Sequence, residues 1–238
     1  MILIFASLLP VILLMIYFYY RDKFEKEPVK TLMKAFFAGM LSVLLTVISA
    51  SILSFPLTET GSPVYEAFVK SFWEAAIPEE ISKFVLLYIF IWKDKNFNEY
   101  YDGIIYSVFV ALGFAGVENI MYVMQGGIGI AISRALLSVP LHALCGVIMG
   151  YYLSLAKFNL SKKTIYFLTG IFWAIVAHGT YDFIIFYLEK SIGISEISAL
   201  ISTVLVFVFI ILFWKVSLKK INIHVNNSVF KNKDDELV

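Results

Sequence analysis

Apolar runs of about twenty residues recur along the whole chain and constrain its fold more than any other feature. The first of them, Ile2–Tyr20, contains no charged residue. An α-helix rises 1.5 Å per residue, so about twenty residues cross the ~30 Å hydrocarbon layer of a bilayer. With 60% hydrophobic residues and a mean hydropathy of +0.84, the 238-residue chain carries more apolar surface than a water-soluble domain buries. The sequence therefore predicts an all-α, polytopic transmembrane helical bundle.

Seven apolar stretches are predicted to be transmembrane helices. They are Ile2–Tyr20, Thr31–Phe55, Tyr65–Trp92, Asp102–Met124, Ala131–Ala156, Thr164–Leu188 and Ser195–Val216. Charged residues follow the first stretch and none precedes it, so we interpret it as a retained helix and not as a cleaved signal peptide. Residues 1–220 are predicted to form a single membrane domain. Residues 221–238 are predicted to form a polar, mobile cytoplasmic tail in which His224 is solvated.

Basic residues are distributed unequally between the two sides of this predicted bundle. Fifteen of the nineteen Lys and Arg residues lie on one side. They are Arg21, Lys23, Lys26, Lys30, Lys34, Lys93, Lys95, Lys157, Lys162, Lys163, Lys215, Lys219, Lys220, Lys231 and Lys233. Because cytoplasmic loops carry the excess of basic residues, the N-terminus is predicted to lie outside and the C-terminus in the cytoplasm. A net charge of +1 does not favour a nucleic-acid partner, and the expected surroundings are a lipid bilayer.

Ionisable residues interrupt four of the apolar stretches. These residues are Glu79, Glu80, Lys83, Glu118, His142, His178 and Asp182. A charge at the centre of a lone spanning helix costs about 2.5–3.5 kcal/mol on insertion scales, so such residues persist where they pair or line a wet cavity. Counted along the predicted helices, all of them lie near the middle or in the outer half. We therefore expect one hydrated site that is reached from outside.

Helical spacing supports a common site. Lys83 follows Glu79 by four residues, so the two share a helix face and can pair. Asp182 follows His178 by the same spacing. Pro78 and Pro140 are expected to kink their helices beside the polar residues, because proline lacks an amide hydrogen and crowds the preceding turn.

Paired carboxylates beside a lysine and two histidines suit general acid–base catalysis. Two adjacent carboxylates in apolar surroundings do not both ionise readily, so Glu79 or Glu80 is expected to exchange a proton with water while Lys83 keeps the other ionised. Glu118 is expected to share that proton or to position the water. The histidines, His142 and His178, can stabilise an oxyanion, with Asp182 orienting His178. The pattern indicates a site that activates water against an amide bond.

Other interpretations of the same residues remain open. If a metal is bound, Glu79, Glu80, Glu118, His142 and His178 are its candidate ligands, since Zn²⁺ accepts their oxygen and nitrogen donors. The sequence lacks a His-Glu-x-x-His pair, so no cofactor is favoured and zinc is the alternative. A proton-coupled transporter or channel also keeps carboxylates and histidines at depth, although the inner halves of these helices are nearly all apolar. An inactive scaffold held together by polar contacts is a third interpretation.

Three motifs at these residues resemble those of the PrsW family of intramembrane proteases, which is related to the CAAX prenyl proteases. Residues 79–83 match its Glu-Glu-x-x-Lys motif, residues 114–118 its Phe-x-x-x-Glu motif and residues 178–182 its His-x-x-x-Asp motif. The similarity extends to about Lys220. It implies an endopeptidase of the bacterial cytoplasmic membrane that makes the site-1 cut in a single-span anti-sigma factor, on its extracytoplasmic side, and so starts a proteolytic stress response. The motifs are compatible both with a water activated by glutamate and with a water activated by a bound metal, and we favour the glutamate.

Overall fold

A computed structural model describes residues 1–53, 62–191 and 196–231, and within these ranges every regular element is helical. The helices are α1 (Ile2–Arg21), α2 (Val29–Leu53), α3 (Pro63–Phe68), α4 (Ile77–Ile91), α5 (Tyr100–Leu136), α6 (Ser138–Phe158), α7 (Lys163–Ser191) and α8 (Glu196–Asn226). A π-helix, Val69–Ala76, joins α3 to α4, and a 3₁₀ turn, Leu160–Lys162, precedes α7. The predicted helix ends Phe55 and Ser195 and the tail residues 232–238 lie outside the described residues.

The predicted all-α membrane fold is confirmed. Within the described ranges, four helical segments are long and apolar enough to cross a membrane: Ile2–Arg21, Val29–Leu53, Tyr100–Phe158 (which contains α5 and α6) and Leu160–Glu189. Large apolar side chains such as Leu44, Leu168 and Phe172 are exposed on these segments. Such outward apolar surface is expected of helices that face lipid, where backbone polar groups are satisfied within the helix.

The centre of the bundle consists of α5 and α6. Every residue of α5 from Tyr101 to Gly116 is buried, and so is every residue of α6 from Leu141 to Gly150. Around this pair, α1 and α2 pack against α5, and α7 packs against α6. Because the two central helices are covered on all sides, the polar residues that they carry point into protein and not into lipid.

The predicted break between the fourth and fifth helices, after Met124 and before Ala131, contains the residue at which the chain turns, Gly127, but the predicted helix Ala131–Ala156 is interrupted at Leu137. Residues 131–136 belong to α5, and the next helix begins at Ser138. Within α5 the chain turns at Gly127, whose φ of 71° and ψ of −161° lie in a region that is essentially restricted to glycine. The predicted mid-helix kink at Pro140 is wrong, because Pro140 lies in the first turn of α6, where an amide hydrogen has no helical acceptor.

The distortion predicted beside Pro78 takes the form of the π-helix Val69–Ala76. Pro78 has no amide hydrogen to offer the carbonyl of Glu74, and the N–H of Ile77 bonds the carbonyl of Phe72, five residues back. Single π-turns inside helices are frequent at functional sites. The sequence Glu79-Glu80 follows this wide turn directly and occupies the first turn of α4.

At the end of the bundle where α1 passes to α2, α8 packs against the other helices. His224 is only 1% exposed; its ring stacks on Tyr151 at 4.2 Å and its Nε2 lies 3.0 Å from the Tyr151 carbonyl oxygen. The prediction that His224 is solvated is therefore wrong, because α8 continues beyond Val216 to Asn226. The division of the chain at residue 220 stays a prediction.

A group of acidic residues is buried at the same end. The N–H of Glu27 donates to Asp22 at 3.2 Å, and the Tyr106 hydroxyl donates to the Glu27 carboxyl. The Glu99 carboxyl accepts from the hydroxyl of Ser228. Burial, followed by the nearby charge of Glu99, raises the pKa of Asp22 to about 7, and burial also raises the pKa of Glu27 to about 10. These groups therefore link the folding of this end of the protein to pH.

Candidate active site

The structure brings all the predicted ionisable residues into one continuous cluster at the other end of the bundle, where α5 passes to α6 (the α5–α6 end). Their side chains come from four helices. The members are Glu79, Glu80 and Lys83 of α4, Glu118 of α5, His142 of α6, and His178 and Asp182 of α7. Residues far apart in the chain thus lie side by side, while the chemical role of each residue stays a prediction.

The ammonium group of Lys83 lies at the centre of the cluster. Its Nζ is 3.1 Å from Glu79 Oε2, 2.8 Å from Glu80 Oε1 and 3.1 Å from His142 Nδ1. The side chain is 2% exposed, so these three acceptors replace the water that an ammonium otherwise binds. A lysine ammonium has three hydrogens to donate, and here each of them has an acceptor.

This arrangement assigns the hydrogen on His142. An ammonium only donates, so His142 Nδ1 accepts and the ring hydrogen must be on Nε2. His142 Nε2 lies 2.9 Å from Glu118 Oε2 and donates to it. Both ring nitrogens of His142 are therefore used, and the ring connects Lys83 to Glu118.

His178 joins the carboxylates of two helices. Its Nδ1 is 2.8 Å from Glu80 Oε1, and its Nε2 is 3.3 Å from Asp182 Oδ2 and 3.8 Å from Glu79 Oε2. The hydrogen on Nδ1 donates to Glu80, which leaves Nε2 facing two carboxyl groups. A ring nitrogen that faces two carboxyl groups ordinarily either carries a second ring proton or binds a cation that lies between it and the carboxylates.

Gly179 allows α7 to approach close enough for these contacts. A Cβ at this position would lie 2.4 Å from Cδ1 of Phe72 in the π-helix. Such a distance is far below van der Waals contact, so any larger residue would push α7 away. The glycine after His178 thus fixes the separation between α7 and the helix that carries the two glutamates.

A cavity of about 260 Å³ opens beside the cluster at the α5–α6 end. Glu79, Glu118 and Asp182 line it, together with Tyr181 of α7 and Arg134 of α5. Glu80 lies behind this wall, with its side chain 1% exposed against 12% for Glu79. Of the two adjacent glutamates, Glu79 is thus the one that meets the cavity.

Arg134 is a member of the site that sequence reasoning did not include. Its Nη2 donates to Glu118 Oε2 at 2.6 Å and its Nε donates to Asn119 Oδ1 at 2.8 Å. The guanidinium also lies over the ring of Tyr122, 4.3 Å from its centroid. The residue lies three positions into the predicted stretch Ala131–Ala156 and is not one of the fifteen basic residues of the predicted cytoplasmic side. Its position inside that stretch was the signal that could have identified it.

A helical membrane fold with a buried carboxylate–histidine cluster is the arrangement expected of an intramembrane protease, and comparison with known proteins shows that the chain is of this class. A family model described as "PrsW family intramembrane metalloprotease" matches residues 27–214. The chain belongs to this family. It is accordingly a multi-pass protein of a bacterial membrane.

Relatives named Protease PrsW cover most of the chain. The one from Geobacillus kaustophilus is 38% identical over 79% of this chain and 81% of its own length. Its counterpart from Bacillus subtilis is 39% identical over 76% and 81%. The one from Clostridioides difficile is 34% identical over 93% of this chain and 91% of its own. No solved structure matches the chain.

The family description implies a metal ion, and the cluster contains donors suited to one. Glu79, Glu80, His142 and His178 each offer a ligand atom, and these atoms lie within 4.8 Å of one another. The Lys83 ammonium lies among three of these residues, so an ion bound there would compete with it. The gaps between His178 Nε2 and the carboxylates of Glu79 and Asp182 are close to the ~3.4 Å that separates ligands around a tetrahedral zinc with ~2.1 Å bonds. The donor set therefore fits zinc, most directly at His178.

Proposed function

We propose that the chain is an intramembrane endopeptidase in which Glu79 is the general base that activates water. The observation that carries this proposal is the unequal surroundings of the two adjacent glutamates. Glu79 borders the cavity, where water and a peptide bond can reach it. Glu80 accepts hydrogen bonds from Lys83 and His178 on a single oxygen and is closed off from the cavity. Glu80 is therefore a positioning group, and Glu79 is free to exchange a proton.

The reaction then follows from the side chains at the cavity wall. Glu79 takes a proton from water as the water oxygen bonds to the carbonyl carbon of the scissile amide, and the carbonyl oxygen becomes an oxyanion. His178, whose Nε2 points toward the cavity-lining acids, donates to that oxyanion. Glu79 then passes its proton to the amide nitrogen, the C–N bond breaks, and a carboxyl group and an amine are released. His142 has no free ring nitrogen, so its role is to hold Lys83 in place.

The cluster contains more carboxylates than permanent cations, so its negative charge must be neutralised in some further way. Four carboxylates, those of Glu79, Glu80, Glu118 and Asp182, face two permanent cations. Unpaired buried charges are costly, so two more positive charges are needed. Two protons, with one on His178, would supply them, and so would one divalent ion. When bound, zinc supplies Lewis-acid polarisation and a more acidic water. We propose His178, Glu79 and Asp182 as the side chains that would hold it, in which case Glu79 would be a ligand and not the general base.

The substrate class and the membrane topology are part of the same proposal. The basic residues near the α1–α2 end support an orientation with the N-terminus outside and the C-terminus in the cytoplasm, which an odd number of spans, such as the seven predicted, would require. In that orientation the cavity faces the extracytoplasmic side, which supports a cut near that end of a membrane-anchored protein. The resemblance described above supports a single-span anti-sigma factor as the substrate. Between the cluster and the acidic group at the α1–α2 end, residues 108–114 of α5 are all apolar and buried, and this favours a protease over a proton-conducting transporter.

Cleavage by purified protein in liposomes that contain a single-span anti-sigma factor tests the proposal. Glu79→Gln is expected to lower kcat at least 10²-fold, since a general base contributes about 10²–10⁴-fold. Glu189→Gln is the matched control, because Glu189 is an exposed residue at the mouth of the same cavity. Full cleavage by Glu79→Gln, with correct folding shown by its unfolding temperature, would exclude Glu79 as the base.

Metal analysis of the same preparations distinguishes the two ways of neutralising the cluster. If zinc is used, the purified protein should contain about one zinc per chain, His178→Ala should contain none, and a chelator should stop cleavage until zinc is returned. If protons are used, the protein should be active without metal and insensitive to the chelator. Ion uptake into liposomes without any cleavage would instead support the transporter.

A further inference from the structure

The turn at Gly127 brings a distant part of α5 back to the active site. Arg134 follows Glu118 by sixteen residues, which is about 24 Å of straight α-helix. Their side chains are nevertheless 2.6 Å apart. The chain therefore reverses after Gly127, and the segment from 128 to 136 runs back along the outer part of the same helix. Ile130 and Ser133 of this segment form part of the cavity wall.

Three groups on the outer part of α5 hold the Arg134 side chain. Glu118 and Asn119 each accept one of its hydrogen bonds, and Tyr122, one turn later, lies under the guanidinium. Asn119 is itself anchored, since its amide donates to the carbonyl of Ser7 in α1 at 2.7 Å. A planar guanidinium can donate to both acceptors at once while it stacks on the tyrosine ring. A lysine ammonium reproduces this arrangement only in part.

Glu118 connects Arg134 to the rest of the cluster through hydrogen bonds. Its Oε2 accepts from Arg134 and also from His142 Nε2 at 2.9 Å. The other nitrogen of His142 accepts from Lys83, which contacts Glu79. The polar contacts thus run without a break from the turned-back segment to the proposed base.

We propose that Arg134 is a positioning residue for the reaction, and this inference rests on the proposed function. Arg134 holds Glu118 as a carboxylate directed at His142, and this keeps the His142 ring turned so that Nδ1 receives the Lys83 ammonium. Without Arg134, Glu118 is a partly buried carboxylate near two other acids and is free to rotate away. Lys83 then loses one of its three acceptors, and Glu79 loses its fixed position. Arg134 need not touch the substrate.

A double-mutant cycle with Glu118 tests this role, because the effects of residues that act through one another do not add. Arg134→Gln is expected to lower kcat 10- to 100-fold while KM stays within threefold. Glu118→Gln should lower kcat by a similar factor. The double variant should be within twofold of Glu118→Gln alone. Arg134→Lys, which restores the charge but not the fork, should recover at least threefold of the loss.

Controls separate this inference from the proposed function. Lys70→Gln removes another cation near the cavity, one that lies over the ring of Phe186 at 4.2 Å, and is expected to keep kcat within threefold of the unchanged protein. If Glu79→Gln is inactive but Arg134→Gln is fully active, only the positioning role fails. The positioning role is also overturned if the losses of kcat from Arg134→Gln and Glu118→Gln multiply in the double variant, or if Arg134→Gln changes only KM. If Arg134→Gln does not fold, the cycle is run with Arg134→Lys, whose smaller loss of kcat should disappear when it is combined with Glu118→Gln, and a loss that persists there would overturn the role.

Discussion

Replacing Lys83 with methionine tests the central contact of the site. The change keeps the length of the side chain and removes the ammonium that binds Glu79, Glu80 and His142. The lysine is 2% exposed, so water cannot take its place. Removing one partner of a buried ion pair typically costs about 3–5 kcal/mol, because the other charge is left buried and unpaired. We expect Lys83→Met to lower the free energy of unfolding by about that amount and to abolish cleavage.

A second ion pair in the same chain supplies the control. Lys34 lies 2.9 Å from Asp94, but its side chain is 43% exposed. Exposed pairs contribute about 0–1 kcal/mol, so Lys34→Met should change stability by no more than that. Both variants would be unfolded in detergent micelles with increasing dodecyl sulfate and followed by circular dichroism.

The double variant Glu80→Gln/Lys83→Met distinguishes loss of charge pairing from loss of packing. Removing both members of a buried pair costs less than removing one, so the double variant should be more stable than Lys83→Met by at least about 1 kcal/mol and should remain inactive. Equal losses for Lys83→Met and Lys34→Met would refute the view that the cluster depends on a central ammonium. A double variant less stable than Lys83→Met would show that Glu80 has a stabilising role apart from the lysine.

Two further predictions concern folding at the two ends of the helical bundle, at Asp22 in the α1–α2 end and at Gly127 in the α5–α6 end. Because the pKa of Asp22 is raised to about 7 by burial and then by Glu99, the folded protein holds a proton that the unfolded chain releases, so stability should fall as pH rises from about 4 to about 7. Asp22→Asn should remove up to about 3 kcal/mol of the stability difference between pH 5 and pH 8 in unfolding titrations, and an unchanged difference would contradict the assignment. Gly127→Ala should cost about 1–3 kcal/mol and reduce cleavage, since alanine does not readily adopt the backbone angles of Gly127. Gly129→Ala, where a Cβ would meet nothing within 4 Å, is the matched control and should be close to neutral in both assays.

Local features of the site could be predicted from the sequence because they depend on helical geometry alone. The spacing of four residues predicted that Glu79 and Lys83 would pair, and their side chains are 3.1 Å apart. The same spacing predicted the contact between His178 and Asp182, which are 3.3 Å apart. Counting residues from the end of each predicted span then predicted that the polar residues of four helices would lie at a similar depth in the membrane. That step required only the direction of each span and the 1.5 Å rise per residue.

Features that depend on the course of the chain between helices could not be predicted in this way. The glycine pair at residues 126 and 127 indicates a break between two predicted helices, but it does not indicate that the chain folds back there so that Arg134 reaches Glu118. The burial of His224 depends on Tyr151, more than seventy residues earlier, and a polar C-terminal sequence contains no sign of that contact. Tertiary packing decides both the folding back of residues 128–136 and the burial of His224, and neither is visible in the local sequence.

The charge balance of the cluster nevertheless contained the missing information. The predicted site has four carboxylates and one lysine, with two histidines that are neutral in their ordinary state. Three uncompensated negative charges in a buried group are costly, so the balance called for added protons or for another cation. Arg134, which lies in the predicted stretch Ala131–Ala156 eight residues before His142, supplies one such cation and reduces the imbalance to two charges. That remainder is what two protons or one divalent ion must supply, and measuring which of them the protein uses will also establish how Glu79 acts.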